Sequence, residues 1–339
     1  MTNNDLNENY DVDFVFPFVD SADPVWQKTA IKVHKKYGRT FNPNSQRFRE
    51  WDNIVFIFRG IEKFCPWIRK IHLIVACPSQ VPSFLKTECE KLNIIYHKDF
   101  IPREKRPTFN SCTIESCMPY IFTKDPELLR QFNRGPIDIS EHIIYSNDDL
   151  FFTGPMEKSD FFRGGYPCLH FRKVAYNSSQ NLFRHQCFNS QNMVAKDFKV
   201  FCNGFIFKNT HSMVPMLGST IEKVFSIHKD EMMDSMTQFR EPHNVNQYIY
   251  SDYQYMSGEF YDHVFPNQYV SFQDFGIDQI CEMIERSADG RNGKCSDGKD
   301  KGYCLCINDS GSGTKFQLYK RRIRQSFSRI LPDKCSCEW

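Results

Sequence analysis

The 339-residue chain has no run of about 18 apolar residues, so no segment reads as a membrane-spanning helix. Its start, MTNNDLNENYDVD, lacks the basic cluster and apolar stretch of a secretory leader, and a cytoplasmic start is the expectation. An excess of one charge is missing too. The 43 basic and 41 acidic side chains leave +2, which gives no global attraction to nucleic acid, and no nucleic-acid partner is expected. No internal repeat is visible. What is present fits a globular protein: 40% hydrophobic and 25% charged residues, with 32 phenylalanines as core material. The length suffices for one large domain or two. In a reducing compartment the 14 cysteines should stay mostly as thiols, with Cys65, Cys77, Cys89 and Cys168 scattered singly through apolar segments as buried thiols are.

The first 150 residues alternate in hydrophobic period. Residues 12–19 form an apolar run of strand length ending at Asp20, with Pro17 implying an edge position or a kink. Ile54, Phe58, Ile61 and Cys65 mark one face of a helix over 51–65, closed by Pro66. Residues 71–76 read as a buried strand, 83–92 as a helix capped by Ser83, and 93–97 as a third strand. Asn110 suits the cap of a helix reaching about Ile121, and 142–146 is a fourth strand. Such alternation predicts an α/β fold, a Rossmann-like, mostly parallel sheet flanked by helices.

In an open parallel sheet, ligands bind beyond the carboxyl ends of the strands. Polar groups follow each expected strand there: Asp20 and Asp23, Gln80, His97 and Asp99, then Asn147, Asp148 and Asp149. Four such exits on one rim point to a site. The second half is less regular. It is rich in aromatics and His over 151–275, with a helix-like stretch at 213–226. Residues 286–314 hold six of the 16 glycines and read as a long loop interrupted by CLCIND at 304–309. The partition expected is an α/β core at 1–155, a less regular remainder at 156–314, and a basic amphipathic helix and tail at 315–339.

The individual motifs stay two-sided when read alone. Adjacent Asp148 and Asp149 after a strand suit a hard divalent cation bridging phosphates, and equally a polar turn. Arg47 and Arg49 before a helix suit a diphosphate clamp or a surface ion pair. Capping accounts for Asn110, with Glu115 solvated one turn inside. His211 and Arg240 each fit a structural role as well as a catalytic one. The cysteines Cys304/Cys306 and Cys335/Cys337, with Cys295, have C-x-C spacing, unlike the C-x₂₋₄-C of zinc knuckles, and a zinc site is disfavoured. On 315–331 a basic face opposes an apolar stripe of Phe316, Tyr319, Ile323, Phe327 and Ile330. That stripe suits docking on the protein's own body, and the cations suit anionic lipid.

Taken together these segments resemble the Stealth family of sugar-phosphate transferases, which act in bacterial capsule synthesis and are related to the animal enzyme that tags lysosomal glycoproteins. The segments are DVDFVFPFVDSADPVW (11–26); the span from RFREWDN through PTFNSCTIES to EHIIYSNDDLFF (47–152); THSMVPM with QFREPHN; and CLCIND. Pro17 stands where the family has a small polar residue, and Glu50-Trp51 where it has an acidic–amide pair.

The resemblance implies catalytic roles for His211, Arg240 and Asp20, with His211 and Asp20 both open as the base. It implies substrate contacts from Asp23, Arg47, Arg49, Asn110, Glu115, Asn147 and Asn308. A divalent cation, Mg²⁺ or Mn²⁺, would be held by Asp148, Asp149 and Asp309. The second half must then fold over the rim of the sheet. The implied partners are a UDP-sugar donor and a glycan or glycolipid acceptor, in the cytoplasm or at the inner face of the plasma membrane, with 315–331 as the candidate membrane contact. Implied chemistry is transfer of N-acetylhexosamine-1-phosphate with release of UMP. The alternatives are a glycosyltransferase releasing UDP and a non-catalytic carbohydrate-binding protein.

Overall fold

A computed structural model describes residues 9–177, 179, 181–202, 204–209, 211–286, 298, 302–310 and 313–339. Most of the loop expected at 286–314, including Cys295, lies outside the described residues.

The first part of the chain runs β1 (Val12–Pro17), α1 (Pro24–Lys36), α2 (Val55–Phe64), β2 (Ile71–Val75), β3 (Leu92–Tyr96), α3 (Ser111–Ser116), α4 (Pro119–Phe122), α5 (Pro126–Gln131), β4 (His142–Tyr145) and β5 (Leu150–Phe152). Next come β6 (Phe162–Arg163), β7 (Tyr166–Leu169), β8 (Phe171–Ala175), α6 (Leu182–Ala195), β9 (Phe205–Asn209) and β10 (Val214–Leu217). The chain continues through α7 (Gly218–Ser235), α8 (Tyr248–Ser257), β11 (Tyr261–Asp262), β12 (Asn267–Ser271), α9 (Ile277–Glu285), β13 (Cys304–Asn308) and α10 (Phe316–Ile330).

The main sheet has the order β10-β4-β1-β2-β3. Its four strands from the first half are parallel, and β10 adds an antiparallel edge beside β4. The expected mostly parallel sheet flanked by helices is therefore present. Its central strand β1 is buried at five of six positions and β2 at all five, as strands covered on both faces must be.

Pro17 lies on this central strand, which corrects the expectation of an edge position. The amides of Phe14 and Phe18 face β2, whereas the Val15 carbonyl faces β4 and accepts from Ser146. Pro17 shares Val15's side, beyond the last paired residue of β4, so its missing N–H breaks no ladder bond.

Three other readings are corrected. Residues 83–92 contain no helix. Leu85 instead bridges to Glu338 of the C-terminal tail, and Cys89 is disulfide-bonded to Cys337, so Cys89 is no isolated thiol. The helix expected from Asn110 to Ile121 breaks after Ser116 and restarts at Pro119, whose ring cannot continue a helix. The helix-like 213–226 begins as strand β10, and helix starts only at Gly218. Cys304 and Cys306 are buried in β13 rather than gathered with Cys335 and Cys337.

A second sheet joins the halves of the chain. β13 pairs antiparallel with β5 and parallel with β12. Gly302 makes the approach possible, because a Cβ there would sit 2.2 Å from the Gly154 Cα. The stripe of α10 docks on the protein's own body. Ile323 and Phe327 are fully buried, with Phe327 stacked on Phe56. Many of its cations are paired: Lys320 and Arg324 with Asp52, Arg322 with Asp278, Arg329 with Glu285. Among the described residues no helix is long and apolar enough to cross a membrane.

Candidate active site

A cleft of about 1020 Å³ opens beyond the carboxyl ends of the parallel strands, as open sheets require. Both halves of the chain line it. Arg47, Arg49, Asn110, Glu115, Asn147, Asp148 and Asp149 come from the first half, and His211, Arg240, Asn308 and Asp309 from the second. Of the thirteen residues singled out above, only Asp20 and Asp23 are outside its lining.

The carboxylates after β4 are part of its wall. Chain direction puts them there. The strand ends at Tyr145, the turn carries Asn147–Asp149, and β5 then pairs with β13, with the Ile307 amide donating to the Asp149 carbonyl at 2.9 Å. Asp148 is reached by solvent through the cleft yet surrounded by its walls. This enclosure, with the charge of Asp149 beside it, pushes its carboxyl up to about 7. Asp149 Oδ1 is buried and has no hydrogen-bond partner among the described residues, while Oδ2 accepts from the Cys306 thiol at 3.5 Å. Asp149, His211 and Cys306 bring their donor atoms within 4.8 Å of one another, the one such group of three among the described residues.

An orphaned buried carboxylate oxygen beside a second, hindered carboxylate fits a divalent cation, which would satisfy the one and ionise the other. Asp309 contributes differently. Its two oxygens accept from Arg49 at 2.8 and 2.5 Å, and Trp51 Nε1 donates to it at 3.2 Å. Arg49 is thereby neutralised inside the protein, with its guanidinium over the Phe316 ring.

Arg47 and Arg240 are two further cations of the cleft. Enclosure in the cleft and repulsion from Arg240 bring Arg47 down to about 10, and no carboxylate pairs with it among the described residues. Arg240 donates to the Ser111 hydroxyl, through Nε at 3.1 Å and through Nη2. Beneath it Glu115 is buried, not solvated as expected. Burial pushes its carboxyl up, opposed by the charge of Arg240, the Gln247 amide at 2.8 Å and Ser111.

Asn110 holds this arrangement. It caps α3 through Cys112, and its amide nitrogen donates to Thr237 O at 3.1 Å, Phe239 O at 3.1 Å and Asn244 Oδ1 at 3.0 Å. The cap thus clamps the segment that carries Arg240. His211 Nδ1 lies 3.4 Å from the Tyr248 hydroxyl, and its ring packs against Phe183 and Tyr269.

The first strand exit is used otherwise. Asp23 caps α1 by accepting from Val25 at 2.9 Å, and its other oxygen accepts from Ser79 at 2.6 Å and Gln80 at 2.8 Å. Asp20 accepts from the Ala22 amide at 2.7 Å. The Asp23-Pro24 pair is itself a helix-start signal, so that role was readable locally. Glu50 was missed. Burial, with Asp148 and Asp20 nearby, pushes it up to about 8 against a backbone hydrogen bond from Asp52. Nothing in RFREWDN separates Glu50 from its charged neighbours. Cys306 was seen only as a zinc candidate, and its approach to Asp149 depends on the pairing of β5 with β13.

Fold and cleft describe an α/β transferase site. The family model of Stealth protein conserved region 2 matches residues 47–167, the stretch that supplies Arg47 through Asp149. The chain is 27% identical to the receptor polysaccharide phosphotransferase WefC of Streptococcus oralis over 96% of its own length and 99% of that protein's. It is 26% identical to the exopolysaccharide phosphotransferase cps2G of Lactiplantibacillus plantarum, over 97% and 96% respectively. Similarity to the capsular polysaccharide phosphotransferase SacB of Neisseria meningitidis serogroup A is 26% over 74% of this chain and 44% of that one. The chain carries the second conserved region of the Stealth proteins over those residues and is a transferase by class.

Proposed function

We propose that the protein moves a sugar-1-phosphate, N-acetylhexosamine-1-phosphate in our reading, from a UDP-sugar to a hydroxyl of a glycan acceptor in surface-polysaccharide synthesis. The observation that carries this is a pair of mutually repelling arginines, Arg47 and Arg240, in the same cleft as the Asp148–Asp149 pair. Two guanidinium groups that repel one another across a cleft suit a phosphate.

A divalent cation held by Asp148 and Asp149 would neutralise the rest of the diphosphate. Arg47 and Arg240 bind the transferred phosphoryl group and stabilise its charge as bonding loosens. Glu115 and Ser111 hold Arg240 in place, and Asn110 fixes the loop bearing it. His211 accepts the acceptor proton at the ring nitrogen not turned to Tyr248. The acceptor oxygen forms its bond to the β-phosphorus, and the bond from that phosphorus to the bridging oxygen breaks. The electron pair leaves with UMP.

The leaving nucleotide tests the reading. Incubated with UDP-N-acetylglucosamine, a divalent cation and a glycan acceptor, the enzyme should release UMP in step with phosphodiester product. Release of UDP would make it a glycosyltransferase and sink the proposal.

A further inference from the structure

The outer face of α1 gathers positive charge that the surrounding protein does not answer. From Pro24 to Arg49 the chain contains no Asp or Glu, in a protein whose 43 basic and 41 acidic side chains nearly balance. Lys28, Lys32, Lys35 and Lys36 recur at the spacing of one helical face, and all four are exposed. Arg39, just beyond the helix, pairs with Glu241. The four lysines pair with no carboxylate among the described residues, and Lys36 lies over the Tyr37 ring, 5.7 Å from its centroid. The helix dipole accounts for Lys35 and Lys36 in the last turn, but not for Lys28 and Lys32. Lys28–Lys32 and Lys32–Lys36 are like-charge pairs one turn apart, which weaken a helix.

Apolar side chains stand among those cations. Val25 is 59% exposed, Ile31 54% and Tyr37 47%. The opposite side of the helix belongs to the protein: Trp26, Ala30 and His34 are buried, and Trp26 lines the cleft. The same helix is therefore cleft wall on one side and a basic, partly apolar surface on the other. The second basic helix, α10, differs, because Asp52, Asp278 and Glu285 hold Lys320, Arg322, Arg324 and Arg329. Cations alone suit any polyanion. Cations interleaved with exposed apolar groups suit the headgroup layer of an anionic membrane, where ammonium groups meet phosphates and apolar tips reach the acyl boundary.

We propose that the face of α1 formed by Val25, Lys28, Ile31, Lys32, Lys35 and Lys36 docks on an anionic lipid surface. The protein is then held peripherally, with the cleft wall one helix thick between the headgroups and the site. Docking of this kind does not depend on which bond the enzyme makes. Combined with the transfer reaction above, it brings the cleft within reach of glycans carried on a lipid.

Vesicle binding by the full chain tests this without substrates, so its outcome is separate from that of the nucleotide test. Wild type should float with mixed phosphatidylglycerol–phosphatidylcholine vesicles and not with phosphatidylcholine alone. K28Q/K32Q/K35Q/K36Q should weaken binding to the anionic vesicles at least about a hundredfold, since each cation at such a surface contributes roughly fivefold. Its melting temperature should not fall, because the four side chains are exposed and repel one another. K315Q/R321Q/R322Q/R329Q takes the same charge from α10 and should stay within about fivefold of wild type, one cation's share. Ile31→Ser should weaken binding several-fold with the charge unchanged. No flotation of wild type, equal flotation with neutral vesicles, unchanged binding by the α1 variant, or an equal loss in the α10 variant would each overturn the proposal. So would binding of a short DNA duplex as tight as that of the vesicles, which would assign the face to nucleic acid.

Discussion

Two neighbouring strand ends in the main sheet offer the same kind of residue and do different work. β1 and β4 lie side by side, and each is followed by two carboxylates: Asp20 and Asp23 after β1, Asp148 and Asp149 after β4. At the first end the groups are satisfied by the protein. Asp23 spends both oxygens on α1 and on Ser79 and Gln80, and Asp20 closes a turn. At the second, Asp149 keeps a buried oxygen without a partner among the described residues, and Asp148 holds its proton up to about 7. A carboxylate at a strand end is thus not evidence of a site in itself. An unsatisfied one is, because burying it unpaired destabilises the fold and a ligand must offset that.

The comparison can be broken in several ways. The largest effect expected is on chemistry at the β4 end: His211→Ala should lower turnover by about a hundred- to ten-thousandfold with an unchanged melting temperature. Near-normal turnover would leave the carboxylates without a base beside them. Next in size is the clamp that connects the two kinds of role. Asn110→Ala removes a cap and leaves buried partners unpaired, which should destabilise the protein by about 1–3 kcal/mol in denaturant titration. Stability equal to wild type would contradict its placement as the holder of the Arg240 segment.

The smallest effect is a pH signature. The Asp148 carboxyl is raised from 3.8 to about 7 on folding, so the folded state binds its proton more tightly than the unfolded state. Its contribution to stability is therefore greatest in acid and is lost as pH rises through that window. Asp148→Asn should gain stability relative to wild type between those pH values, with no further gain above. A gain confined to lower pH would show that the enclosure of Asp148 is not felt.

How much of this was legible in the sequence follows the range of the forces involved. β1 to β4 announce themselves as apolar runs because both faces of the sheet are covered, and α2 by its apolar spacing. β10 was hidden because Val214–Leu217 leads straight into the N-terminus of α7, and an antiparallel edge leaves no local mark there. Residues 83–92 read as helix because their apolar positions serve another partner, the tail bonded through Cys89 and Glu338. At the site, strand exits exposed Asp148 and Asp149. The commitment of Arg49 to Asp309 and the enclosure of Glu50 both depend on segments far apart in the chain. No local pattern records them.

The central claim is that satisfaction, not residue type, separates the two strand ends, and the substitutions Asp149→Asn and Asp23→Ala test it as a pair. Activity and melting temperature are measured on both. The account predicts that Asp149→Asn abolishes transfer while folding at least as stably as wild type. Asp23→Ala should lose about 1 kcal/mol or more of stability through its cap and its Ser79 and Gln80 bonds, and still transfer. A stable but inactive Asp23→Ala, or an Asp149→Asn that stays active, would contradict it.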